Sequence, residues 1–139
     1  MKIADFGISK RTAEELTALR TLIGTRAFAA PEVRGFIQSD SYTNAVDIWS
    51  LGVIAFLILT GESLFQDPIR LYKYVTGSFT FPSDILSANK VSQEGCEFVR
   101  SLIAPLPKDR PGAMESLQSP WLARFAEAVP PQTQRYHVL

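Results

Sequence analysis

The side chains able to do chemistry in this sequence are few and widely spaced. The acidic candidates are Asp5 in Asp5-Phe6-Gly7, the adjacent Glu14 and Glu15, Glu32 after Ala30-Pro31, and Asp47 inside an apolar run. Arg110 stands before Pro111, and the single histidine is His137. Asp47 is the most demanding of these, because a carboxylate on an otherwise apolar helix must find hydrogen-bond donors or become neutral. Glu14-Glu15 reads as a solvated loop pair rather than an acid–base dyad. His137 falls in a polar terminal stretch, so neither a metal site nor a nucleophilic triad has a histidine to build on. Asp5-Phe6-Gly7 by itself reads as a turn with a buried Phe. On the order of one chain in fifty of this length contains any chosen tripeptide at average residue usage, so the motif needs company.

Composition narrows the classes that remain. The 139 residues suit one domain, and 14 Lys and Arg balance 14 Asp and Glu. That balance provides no electrostatic reason for a nucleic-acid or anionic-membrane partner. Hydrophobic residues are 46% of the chain, which supports a packed core and excludes global disorder. Cys96 is the single cysteine, so there is no internal disulfide, no disulfide-linked partner is expected, and a reducing compartment fits. It reads as a small buried hydrophobe. The first residues offer no apolar stretch long enough for a signal peptide.

The elements that must position these residues are mostly helical. Val46 to Leu59 is apolar but shorter than the ~20 residues a membrane span needs, and it contains Asp47 and Ser50. It therefore reads as a buried central helix, with Thr43 as its N-cap and Gly61 as its end. Pro31 suits the first turn of a short helix over Glu32–Ile37. Asp67-Pro68 opens another helix, with Ile69, Tyr72 and Val75 on one apolar face and Gly77 closing it. Ser78 to Val91, with Pro82 and Asn89, reads as loop. Ser92 caps a helix whose Cys96, Val99, Leu102 and Ile103 form a stripe, bounded by Pro105 and Pro107. Two short helices follow, Ala113–Leu117 and Trp121–Phe125. Lys2–Asp5 has the character of a strand end, Gly7–Ala29 of a long polar loop, and Pro130–Leu139 of a frayed tail.

The order of Asp5-Phe6-Gly7, Gly24-Thr25, Ala30-Pro31-Glu32, Asp47-x-Trp49-x-x-Gly52 and Arg110-Pro111 resembles the back half of a eukaryotic protein kinase domain of the serine/threonine type. The resemblance runs from about residue 2 to 125. It implies a mainly α, partial kinase C-lobe: an activation segment over 5–32, a helical subdomain over 33–125 around the buried central helix, and a flexible tail over 126–139. It implies that Asp5, with Phe6 and Gly7, belongs to the nucleotide site, the Asp5 carboxylate being a hard oxygen ligand for the magnesium that bridges ATP phosphates. Thr21 stands where many such kinases take an activating phosphate. Thr25 matches the threonine that supports the acceptor site, and Phe28 an aromatic of the loop that meets the substrate. Glu32 and Arg110 match a buried ion pair. Asp47 matches an aspartate that accepts hydrogen bonds from the catalytic-loop backbone, while Trp49 and Gly52 match structural residues of the same helix.

What this sequence lacks governs the expected activity. No Gly-x-Gly-x-x-Gly run and no His-Arg-Asp-like run occurs in it, so the small lobe, the catalytic loop and the catalytic base are absent. A fragment of a serine/threonine protein kinase domain is therefore expected, with no catalytic residue of its own, weak or no binding of ATP and Mg2+, and no phosphotransfer alone. The central helix should then be partly uncovered, since a preceding helix and the catalytic loop cover it in the family. An exposed apolar patch implies a partner, aggregation or an incomplete chain. The alternative is a non-catalytic kinase-like module that binds a partner protein through that face. An intracellular setting, cytoplasm or nucleus, follows from the resemblance.

Overall fold

The computed structural model describes residues 25–39 and 43–126. Helix α1, Ala45–Thr60, is the axis of the fold. It begins one residue later than Thr43 as N-cap would place it: Asn44 holds the cap position and makes no side-chain cap bond. Thr43 still contributes, its Oγ1 accepting from the Ala45 N–H at 3.3 Å. The helix stops at Gly61, whose φ of 74° lies in the left-handed region that glycine enters at no steric cost.

Helix α2, Pro68–Val75, starts as its sequence dictates, with Asp67 Oδ1 accepting from the Arg70 N–H at 2.8 Å and proline in the first turn. Its buried face differs from the expected one. Leu71 is buried, with Tyr74 and Val75 packed on the core, whereas Ile69 and Tyr72 are 65% and 55% exposed. The expected apolar face therefore points largely outward. Gly77, at φ 83°, turns the chain away after the helix.

The stretch 78–91 is not all loop. Helix α3, Ser83–Ala88, lies within it, entered from Pro82 without a side-chain cap. Burial rather than capping supports it, since Leu86 is fully buried against the core. Helix α4, Gln93–Leu102, is capped by Ser92, whose Oγ accepts from the Gly95 N–H at 3.2 Å. Its buried side carries Cys96, Val99 and Leu102, continued by Ile103.

A short 3-10 turn, Pro107–Asp109, leads to α5, Ala113–Leu117, and α6, Pro120–Ala126. Trp121 of α6 meets Phe98 of α4 at 5.5 Å between ring centroids, which docks the last helix on α4. The expected helix over Glu32–Ile37 is a pair of turns instead: Val33 N–H and Arg34 N–H donate to Ala30 O, and Phe36 N–H to Pro31 O. Gly35, at φ 77°, interrupts any helical progression. The core gathers Trp49, Val53 and Phe56 of α1 with Leu64, Phe65, Leu71, Leu86, Val99 and Ile103. Among the described residues there is no strand. The expected strand end at Lys2–Asp5 and the expected tail over 130–139 lie outside them.

Candidate functional site

The site is organised by one arginine. Arg110 Nη1 donates to Glu32 Oε1 at 2.7 Å and Nη2 donates to Glu32 Oε2 at 2.9 Å, a bidentate pair across 78 residues. Nη1 also donates to Ala45 O at 2.9 Å, Nη2 to Pro105 O at 3.0 Å and Nε to Ala104 O at 2.8 Å. A guanidinium has five N–H donors, and here each has an acceptor. The guanidinium carbon also sits 5.0 Å from the centroid of the Trp49 ring. Both side chains of the pair are sealed from solvent, at 0% and 1% relative exposure. One planar cation thus joins the turn after Ala30-Pro31, the start of α1 and the chain leaving α4.

A second tie lies beside it. The 3-10 turn Thr25–Phe28 packs on α1, and Ser50 Oγ donates to Phe28 O at 2.8 Å. The turn and the Ala30-Pro31-Glu32 stretch that follows are therefore held by α1 and by Arg110 respectively. Sequence reading passes over Ser50, because a serine inside an apolar helix is indistinguishable from one that bonds back to its own helix.

Trp49 and Gly52 both face inward. Trp49 is fully buried and stacks on Phe65 with ring centroids 5.5 Å apart. Gly52 allows α4 to approach α1, since a Cβ built there would stand 2.6 Å from Ile103 Cγ2 and 2.8 Å from Leu102 Cβ.

Asp47 is placed differently. It is exposed at the first turn of α1, where water and the positive end of the helix dipole stabilise a carboxylate. No buried donor from another segment meets it among the described residues. Leu51, Ile54 and Ile58 follow Asp47 at helical spacing and are 49%, 40% and 76% exposed. The helix is therefore buried on one side only, not all round.

Asp5, Phe6, Gly7, Thr21, Glu14, Glu15 and His137 lie outside the described residues. Thr25 lies in the 3-10 turn. The magnesium role implied by the resemblance rests on Asp5; among the described residues no group of three or more His, Cys, Asp or Glu stands together in a way that could hold a metal ion. No helix among them is long and apolar enough to cross a membrane.

The family model described as "Protein kinase domain" matches residues 1–122. The chain belongs to the protein kinase family, and its fold is a partial C-lobe of that domain. It is similar to the probable serine/threonine-protein kinase fhkC of Dictyostelium discoideum, 33% identical over 130 residues that cover 91% of this chain and 21% of that protein. A probable myosin light chain kinase of the same organism is 38% identical over 134 residues, covering 93% of this chain and 36% of that one. Among solved structures it is similar to Rad53 residues 1–466 in complex with AMP-PNP, with a TM-score of 0.57 and 34% identity, covering 72% of this chain and 26% of that one. Titin kinase with its flanking domains gives a TM-score of 0.58 and 30% identity, over 78% of this chain and 19% of that one. The chain spans less than half the length of each of these relatives.

Proposed function

We propose that this chain is the activation-segment and helical-core portion of a serine/threonine protein kinase, and that alone it transfers no phosphate. In the complete polypeptide it would seat the protein hydroxyl acceptor beside Thr25 and contribute Asp5 to the magnesium–ATP site. Phosphoryl transfer is mostly positioning and charge stabilisation, and the groups that do most of it have no counterpart in this sequence. The observation that carries the reading is the contrast along α1. Its Trp49–Val53–Phe56 side is fully packed, while Asp47, Leu51, Ile54 and Ile58 face outward as if cut from a larger core. A single free cysteine, Cys96, supports an intracellular setting.

The same stripe also favours the second reading, a non-catalytic module that binds a partner protein through this face. Intact-mass measurement of the endogenous protein separates the two: a much larger species supports the first reading, and a native product ending at Met1 counts against it. Mg2+-ATP titration of the recombinant chain tests inactivity directly. Weak or no uptake is expected. Phosphotransfer by a clean preparation, abolished by Asp5→Ala, would overturn it.

A further inference from the structure

We infer that Ser50 is the positioning residue that sets the backbone of the acceptor-side turn Thr25–Phe28, and through it the affinity for the protein substrate. The inference rests on the kinase reading of that turn. Ser50 Oγ stands 2.8 Å from Phe28 O and 3.2 Å from Val46 O, and the hydroxyl has one proton to give. A helical serine ordinarily returns its proton to the carbonyl one turn back, a bond that carries no tertiary information. Here the shorter contact leaves the helix and reaches a segment 22 residues away. The accepting carbonyl belongs to the last residue of the 3-10 turn, where a short helix has run out of internal donors.

The two ends of this bond differ in how firmly they are held. Ser50 follows Trp49 on α1, which with Val53 and Phe56 is buried at 0–1% exposure in the centre of the core. The turn is a single four-residue element. Just beyond it Ala30 and Glu32 are buried, and Glu32 is gripped by Arg110. Ser50 and Arg110 therefore clamp the backbone on either side of Ala29, one through a carbonyl and the other through a side chain. Ser50 does not touch the acceptor; it acts through Phe28. Loss of the hydroxyl releases that carbonyl and loosens the turn without disturbing the parts that handle nucleotide.

Two measurements test this. In the chain itself, amide hydrogen exchange over residues 27–30 is compared among wild type, Ser50→Ala, Ser50→Cys and Ser50→Thr. Cysteine keeps nearly the volume with a weak donor, and threonine keeps the donor. Exchange about three- to tenfold faster is expected for Ala and Cys, the factor one ordinary hydrogen bond supplies, with Thr close to wild type and α4 unchanged. No change over 27–30, or equal acceleration in α4, overturns the inference. In the polypeptide that carries the small lobe and the catalytic loop, Ser50→Ala should raise the acceptor KM by a similar factor. The ATP KM should stay put, and Ser50→Thr should restore the acceptor KM. If wild type transfers no phosphate, the kinase reading itself fails. If it does and the acceptor KM does not move, the Ser50 inference alone fails.

Discussion

Gly52 of α1 faces Ile103 so closely that a single added carbon would lie 2.6 Å from Ile103 Cγ2. The second neighbour, Leu102 Cβ, would be 2.8 Å away and sits next to the backbone, so it cannot swing aside. Gly52→Ala gains about 1 kcal/mol of helix propensity but forces two buried residues apart, which typically costs about 1–3 kcal/mol. The contact should win, with a net loss of up to about 2 kcal/mol in urea unfolding. A variant at least as stable as wild type would show that α1 and α4 part at a cost no greater than the gain in helix propensity.

Arg110→Lys should destabilise almost as much as Arg110→Ala, because an ammonium offers three donors where the guanidinium fills five acceptors. Removing one partner of a buried pair costs about 3–5 kcal/mol, since the other charge stays desolvated. Glu32→Gln should fall in the same range. A double-mutant cycle on Glu32 and Arg110 reads their coupling directly; additive losses would mean the pair acts as two separate residues.

Burial pushes the Tyr74 phenol from 10.0 up to about 12, against the opposing pull of Arg100 and Arg110. The neutral hydroxyl donates to Ile103 O at 3.0 Å, joining α2 to the end of α4. The unfolded chain releases this proton near pH 10 and the folded one only near 12. The contribution is therefore whole below pH 10 and is lost as pH rises from about 10 to 12. Chemical denaturation across that window should show stability falling with pH, and Tyr74→Phe should flatten the fall.

The exposed stripe of α1 makes a prediction that separates it from the core. Ile58→Ser should change stability by no more than about 0.5 kcal/mol, as expected for a surface position. Phe56→Ala, two residues earlier and fully buried, should cost about 3–5 kcal/mol. Ile54→Ser with Ile58→Ser should also lower binding of an apolar dye and reduce self-association in gel filtration. Unchanged dye binding would mean that the apolar surface lies elsewhere.

Local chemistry was legible without the structure. Asp67 and Ser92 cap their helices because the acceptor and the N–H it meets are three residues apart, and Gly61 and Gly77 turn the chain with positive φ that other residues resist. The stripe of Cys96, Val99, Leu102 and Ile103 was readable from its period alone. Other features depend on partners distant in the chain. Helix α3 has no side-chain cap and exists because Leu86 finds the core. Helix α2 buries Leu71 in place of Ile69 and Tyr72, because neighbouring elements choose which face of a mixed helix is covered. The Glu32–Arg110 contact could be anticipated from family resemblance only, since nothing in the types or spacing of two residues 78 apart brings them together. The exposure of Asp47 and the outward bond of Ser50 were decided by tertiary packing, which determines whether a polar group on an apolar helix meets water, its own helix or another segment.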